Sequence, residues 1–516
     1  MNTQRSQGVE GGAGGAPLST RRSQGVEGGA GGAPLRDPAA LSPAGRVASA
    51  TRRTFRSLRV RNYRLWFIGQ TISLSGTWMQ TTGQAWLVYR LTQSAWDLGL
   101  TAALQFLPIL VFGAYGGVIA DRFDKRRVLI VTQILFVVQA LALTVVVATG
   151  VVQLWMVWTL AVTLGFINVF DNPARQSFAI EMVGGEDLAN AVGLNSVIVN
   201  ASRIVGPAVA GVLMIFAHQV SGMSWIFLVN AATFAAVLAA LFLMRPAELH
   251  RPKRVRAGRG QVREGFRYVW SKWELRVPML MMAVIGTLAF NFNVLLPLFS
   301  GEVFHRGTGS TGAGGYGLLL AVMGVGALAG SLGVASRRRP RYRLLMLVTF
   351  AFGVLALGIA AAPTFDVALV LVVPMGAASV AFIALANTLI QLHSEAQMRG
   401  RVMALWGIVF LGSTPIGAPI AGVVAAHFGA RVALGMGAVA TLLAATYGAA
   451  ALRRIRAEER REESSGGAPG AQAAALAIRE DDLPGEPEAG YDPGPDAGLE
   501  DPRGTGPEPA PATRGG

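Results

Sequence analysis

The stretch GVIADRFDKRRVLIV, residues 117–131, decides the fold: an apolar run stops at a short charged turn and a second apolar run begins at once. Each run continues for about 20 residues away from the turn, the length a helix needs to cross a hydrocarbon core of roughly 30 Å. Charge is confined to Asp121, Arg122, Asp124, Lys125, Arg126 and Arg127, where such a chain would leave the bilayer. Working outward, the same alternation predicts spans near 65–89, 98–120, 128–149, 154–177, 191–217 and 223–244. A second set is predicted near 277–299, 315–336, 343–362, 366–392, 401–426 and 430–452. The expected fold is an all-α membrane protein of twelve transmembrane helices.

Composition points the same way. Of 516 residues 52% are hydrophobic and 15% charged, too little polar surface to clothe a soluble domain. The net charge of +15 would suit nucleic acid, but the basic residues sit at the ends of apolar segments, so no nucleic-acid partner is expected. Cysteine is absent, which excludes disulfides, thiol chemistry and cysteine metal sites. Neither a nucleotide loop of the form G-x-x-x-x-G-K-[ST] nor an H-E-x-x-H helix occurs. The chain is therefore expected to be neither an enzyme nor a metal protein. Its expected partners are the bilayer and a small-molecule substrate, and a monomer is expected.

Loop charge sets the orientation. One series of turns carries Arg59, Arg61 and Arg64, then the 122–127 cluster, then the basic stretch from Arg251 to Arg276. It continues with Arg337, Arg338, Arg339, Arg341 and Arg343, then Arg399 and Arg401, then Arg453, Arg454 and Arg456. The alternate turns hold little besides Arg90, Arg306 and Arg431. Arginine-rich turns stay in the cytosol, which predicts both termini inside a bacterial inner membrane and an even number of spans.

Residues 1–57 repeat RSQGVEGGAGGAPL from Arg5 and again from Arg22, and lack the apolar stretch of a secretory signal. This Gly/Ala-rich extension and the acidic Pro/Gly-rich residues 456–516 are expected to be disordered cytosolic tails. Residues 58–247 and 277–455 form two six-span halves. Residues 248–276 join them, with Phe266, Val269, Trp270 and Trp273 at helical spacing, an expected amphipathic interfacial helix. The halves echo each other: Gly206-Pro207-Ala208-Val209-Ala210-Gly211 matches Gly417-Ala418-Pro419-Ile420-Ala421-Gly422, and Asn172 and Gln176 match Asn387 and Gln391. Repeated halves are a common transporter design.

Several residues carry possible mechanism. Gly117 permits close helix approach, and Asp121 at a helix end can accept from the free N–H groups of a facing helix start. With Arg122, Arg126 and Arg127 it would form a conformational latch; the plain alternative is a basic topology anchor. Pro207, between Gly206 and Gly211, removes a backbone donor and permits a bend, although small residues also serve ordinary packing. Ionisable groups inside a bilayer are functional suspects. Asp171, with Arg175 one turn later and Arg203 in the fifth span, is expected as an ion-pair partner of Arg203 or of the latch arginines, or as a proton carrier. The first span is unusually polar, with Gln70, Ser73, Ser75, Gln80, Thr81, Thr82 and Gln84 beside Trp78 and Trp86. Such groups cannot face lipid cheaply. Trp78, Gln80, Gln84, Gln105, Asn168, Asn291, Asn293 and Asn387 are thus candidates for a substrate cavity, each of them equally compatible with helix packing.

The 117–127 motif resembles the loop between the second and third spans of the major facilitator superfamily, with Asp124 and Lys125 as departures from its usual pattern. Further stretches resemble its enterobactin-exporter-like, transmembrane secretion effector branch: SLSGTWMQTTGQAWLVYRLTQSAWDLGL at 73–100, FDNPARQSF at 170–178, NASRIVGPAVAG at 200–211 and EGFRYVWSKWELR at 264–276. The resemblance covers residues 57–455. It implies a secondary active transporter of two pseudo-repeated six-helix bundles working by alternating access. Gly206, Pro207 and Gly211 resemble the fifth-span antiporter motif, with Ala210 in place of a glycine. That implies proton-driven export of amphipathic molecules such as siderophores, antibiotics or drugs, with the proton gradient in the place of a cofactor. The alternative is an importer or facilitator of the same fold. In the second half, Gly330 to Arg339 keeps the basic turn without its acidic residue, so the latch is expected to be asymmetric.

Overall fold

A computed structural model describes residues 56–464 apart from 185–186, 218, 251–260, 307–309, 338–339 and 396; the side chains at 114, 118–121, 188–189, 192, 196, 261–262, 310 and 454–464 also lie outside the description. The first bundle contains α1 (Arg61–Thr92), α2 (Ala95–Arg122), α3 (Lys125–Ala148), α4 (Leu154–Val183), α5 (Leu188–Phe216) and α6 (Ser224–Leu243). A short α7 (Gln261–Ser271) leads to the second bundle. There α8 (Trp273–Leu288) and α9 (Phe292–Leu298) make one broken span, followed by α10 (Ser310–Ala335), α11 (Tyr342–Ala361), α12 (Phe365–His393), α13 (Arg399–Phe428) and α14 (Ala430–Ser464). No strand occurs among the described residues. The end of α14 extends past residue 456, where the sequence suggested a tail, because RRIRAEERREES is rich in strong helix formers.

Ten of these helices, and the broken span of α8 and α9 taken together, are long and apolar enough to cross a membrane. The twelfth is α1, whose 32 residues reach across a bilayer but whose polar content lowers its hydropathy. Its place in the fold explains the exception. Gln70, Ser73, Gln80, Thr82 and Gln84 are all buried. Gln80 donates to Gln139 Oε1 of α3 at 3.1 Å and accepts from Asn230 Nδ2 of α6 at 2.6 Å. Gln139 in turn donates to the Leu160 carbonyl of α4 at 3.3 Å. One amide chain therefore ties four helices at mid-bundle, where hydrocarbon offers polar atoms no other partner.

The duplicated glycine motif performs one job twice. In α5, a Cβ at Gly206 would stand 2.6 Å from the Ser75 carbonyl of α1. In α13, a Cβ at Gly417 would overlap the Thr287 carbonyl of α8, the first span of the second bundle. Each glycine lets its helix lie against the opening span of its own bundle. Five residues on, the partner changes. Gly211 meets Gly317 of α10, and a Cβ at Gly422 would lie 2.7 Å from the Ala95 carbonyl of α2. These second glycines join the two bundles.

The linker helix α7 belongs to the second bundle. Glu264 pairs with Arg401 at 2.5 Å and Lys272 with Glu395 at 2.6 Å. The Tyr268 hydroxyl accepts from the Glu395 N–H at 3.1 Å. Hydrogen bonding to Lys272 holds the exposed Glu395 carboxyl below the usual carboxylate range. Val269 is buried, whereas Phe266 and Trp270 stack on each other, exposed, with ring centroids 5.4 Å apart.

Three substitutions test this packing. Gly417→Leu is expected to lower stability by about 1–3 kcal/mol through overpacking against α8, while Gly435→Leu, at a position with nothing within 4 Å, changes it little; thermal melting of the detergent-solubilised protein measures both. Gln80→Leu is expected to lower the melting point by an amount matching about 1–3 kcal/mol, because Gln139 and Asn230 each lose a buried partner.

Candidate functional site: a cavity between the bundles

A cavity of about 330 Å³ lies between the two bundles, at the middle of the spans. The first bundle contributes Trp78 of α1, Phe106 of α2, and Arg203 and Pro207 of α5. The second contributes Met282, Phe290, Phe292 and Asn293 from the broken seventh span, with Leu320, Met323, Gly324 and Ala327 of α10. Ser379, Val380 and Ile383 of α12, and Phe410, Leu411, Ser413 and Thr414 of α13, complete the wall. The break at 289–291 lets the seventh span bend around the space. Asn291 stands at the N-cap of α9, its Oδ1 buried without a hydrogen-bond partner. Phe290 stacks on Phe352 at 5.5 Å, which fixes one aromatic wall.

The bundles meet at the end away from the arginine-rich turns. There Gly211 packs on Gly317, Gly314 on Ile215, and Gly99 and Gly422 sit against Ala418 and Ala95. The rings of Trp86 of α1 and Tyr316 of α10 stack across the same seam at 5.9 Å. Toward the basic end, Gly117 of α2, Gly193 of α5, Gly333 of α10 and Gly400 and Gly407 of α13 have nothing within 4 Å of a Cβ position. The closed seam thus lies at the end away from the basic turns, with the cavity below it.

Arg203 is the one charged side chain among the described residues lining this cavity. Its guanidinium lies over the Trp78 ring, 5.1 Å from the centroid. The Nε is buried with no hydrogen-bond partner. No described carboxylate pairs with Arg203. Asp171, expected as its partner, bonds instead within the first bundle. Its Oδ2 pairs with Arg175 at 3.2 Å, and its Oδ1 accepts from Thr132 Oγ1 at 2.8 Å and Gln133 Nε2 at 3.1 Å. Arg175 also donates to Asn172 at 2.6 Å. The reason is helical spacing: Arg175 stands one turn from Asp171 on the same face.

The other sequence candidates divide. Trp78 and Asn293 line the central cavity. Gln80 and Asn168 line a separate space of about 50 Å³ inside the first bundle, with Asp171 and Arg175. Asn168 donates to the Leu164 carbonyl of its own helix at 2.9 Å. Gln84 is buried with its Nε2 unpartnered, away from the central cavity. Neither Gln105 nor Asn387 lines the central cavity; Asn387 accepts from Gln391 at 3.2 Å. Phe106, Phe290, Phe292, Phe410 and Thr414 were missed. For Thr414 a signal existed, since it stands three residues before Gly417 as Arg203 stands before Gly206.

The expected latch is only partly described. The Asp121 side chain lies outside the described residues, and Arg122 is exposed. Arg126 Nε donates to the Leu241 carbonyl at the end of α6 at 2.8 Å, inside the first bundle. The Arg127 N–H is capped by Asp124 Oδ1 at 3.0 Å, and Lys125 pairs with Glu181 of α4 at 2.6 Å. The two departures from the superfamily pattern, Asp124 and Lys125, thus cap α3 and tie it to α4.

The chain is similar to known proteins. The multidrug efflux pump Tap of Mycolicibacterium fortuitum is 27% identical over 65% of this chain and 82% of its own length. The enterobactin exporter EntS of Citrobacter koseri is 25% identical over 70% of this chain and 84% of its own. Among solved structures, a bacterial homologue of the iron transporter ferroportin in an inward-facing state superposes with a TM-score of 0.57 at 17% identity, covering 75% of this chain and 98% of that one. A bacterial homologue of the lysosomal transporter Spinster, inward-facing and unoccupied, gives 0.58 at 16% identity, covering 76% and 95%. The family model described as transmembrane secretion effector matches residues 52–480. With that match across the whole helical region, the chain belongs to the transmembrane secretion effector family of major facilitator superfamily transporters.

Proposed function

We propose that the chain exports amphipathic small molecules by alternating access, in exchange for protons, as a monomer in a bacterial inner membrane. The arginine-rich turns then lie in the cytosol with both termini, following the positive-inside tendency. On that orientation the conformation described above is inward-facing: the cavity communicates with the cytosol and the glycine seam closes the outer side. The observation that carries the proposal is this cavity between two helix bundles, below the end at which they touch. Its size falls within the range of drug-sized ligand sites, and its walls are mainly apolar and aromatic. Such walls favour molecules with a substantial apolar body. Relatives named as an efflux pump and an exporter support the outward direction.

No carboxylate is among the residues lining the central cavity, and Asp171 has three partners in its own bundle. Coupling therefore requires those contacts to rearrange as the bundles move.

Transport into everted membrane vesicles tests the proposal. With the vesicle interior made acidic, a panel of amphipathic drugs and siderophores is expected to include members that accumulate, and collapse of the pH gradient is expected to abolish accumulation. Accumulation in right-side-out cells and not in everted vesicles would indicate an importer. Accumulation indifferent to the gradient would remove proton exchange.

A further inference from the structure

We infer that Arg203 is the substrate's anchor and that the transported molecules carry an anionic headgroup on an apolar or aromatic body. The inference rests on the reading that the central cavity is the substrate site, and it narrows the chemistry of what enters.

Arginine stays protonated in proteins, so Arg203 cannot shed its charge to suit an apolar setting. Arg203 is half-buried, and a guanidinium drawn partly out of water gains from an anion or several acceptors. Among the described residues it has neither: its Nε is unpartnered and its one recorded contact is the face of Trp78. The lining hydroxyls do not serve it either: Ser379 donates to the Gly376 carbonyl at 2.9 Å and Ser413 to the Phe410 carbonyl at 2.8 Å, and neither accepts from Arg203. The carboxylate that might have served, Asp171, is held by Arg175, Thr132 and Gln133.

The two-fold repeat sharpens the point. Thr414 is the counterpart of Arg203 and lines the same cavity from the other bundle. Packing alone would be served equally by a small residue at both places. One wall instead carries a fixed positive charge and the other a hydroxyl, so the cavity is electrically one-sided. A carboxylate, sulfonate or catecholate would meet the guanidinium fork beside Trp78. The body of the molecule would then extend toward Phe290, Phe292 and Ile383. A cationic amphiphile of the same size would bring a like charge to Arg203.

Three dansyl probes of similar size test this on the full-length protein in phosphatidylcholine nanodiscs: dansylglycine (an anion), dansylglycinamide (neutral) and N-dansylethylenediamine (a cation). Tryptophan-to-dansyl energy transfer reports binding, with empty nanodiscs subtracted. Dansylglycine is expected to bind about tenfold or more tightly than the amide, the size of a charge-assisted hydrogen bond, and the cation most weakly. Arg203→Gln is expected to erase the difference between anion and amide, and Arg203→Lys to restore part of it. Ile383→Trp, which fills the cavity, is expected to weaken all three. Anion and amide binding within twofold of each other in the unaltered protein, both weakened by Ile383→Trp, would overturn the anion assignment and leave the cavity as the binding site. Binding of all three that ignores Ile383→Trp, or no binding at all, would overturn the cavity reading and this inference with it.

Discussion

The contact on which the rest of the structure depends is the close approach of helix backbones where the two bundles meet. Gly211 on Gly317 and Gly422 on the Ala95 carbonyl are its clearest points. Inside a bilayer there is little hydrophobic gain from pressing two apolar helices together, since lipid serves each equally well. Association there relies on close approach, and close approach needs glycine. Such a contact brings the helices together at the glycines, with the Trp86–Tyr316 stack and Ile215 on Gly314 beside it. The closed end and the space beneath it follow from where these glycines stand.

Within each bundle the opposite rule applies. Polar side chains that lipid cannot satisfy are turned on one another, and the Gln80, Gln139 and Asn230 amides fix four helices together. Lys125 with Glu181, and Arg126 on the end of α6, do the same near the basic turn. Each bundle is thus a connected body, and the two meet along a glycine seam. A molecule built this way concentrates its freedom at the seam. Arg203 is the exception that reaches into the seam unpaired, and it does so from the helix that carries the antiporter-like motif.

Much of this was legible in the sequence. Apolar run lengths and arginine-rich turns gave twelve spans, and the repeat of Gly206–Gly211 at Gly417–Gly422 marked both the internal and the inter-bundle crossings. The site was less legible, for a physical reason. An amide in a membrane helix has the same sequence signature whether it lines a cavity or ties two helices, and the outcome depends on helix rotation. Gln80 turned inward to Gln139 and Asn230, while Trp78, two residues earlier, faced the cavity. Apolar lining residues such as Phe106 and Phe410 carry no signal at all, since they are equally suited to lipid. Of the partners open to Asp171 in the sequence, Arg203 is not the one it takes, because Arg175 stands one turn away on its own helix.

The central claim is that the bundles move as bodies about the glycine seam, so that closing one end opens the other. The chain has no cysteine, so introduced cysteines carry spin labels without background. One labelled pair at Phe123 and Arg337 spans the basic end, and a second at Val151 and Phe428 spans the opposite end; all four positions are exposed. Electron–electron distance measurements in nanodiscs would compare each pair in the parent chain and in Gly317→Phe, which cannot fit the Gly211 contact. Rocking bundles require the 151–428 distance to lengthen and the 123–337 distance to shorten together. A lengthened opposite end with an unchanged basic end would mean local unpacking, and would contradict the account.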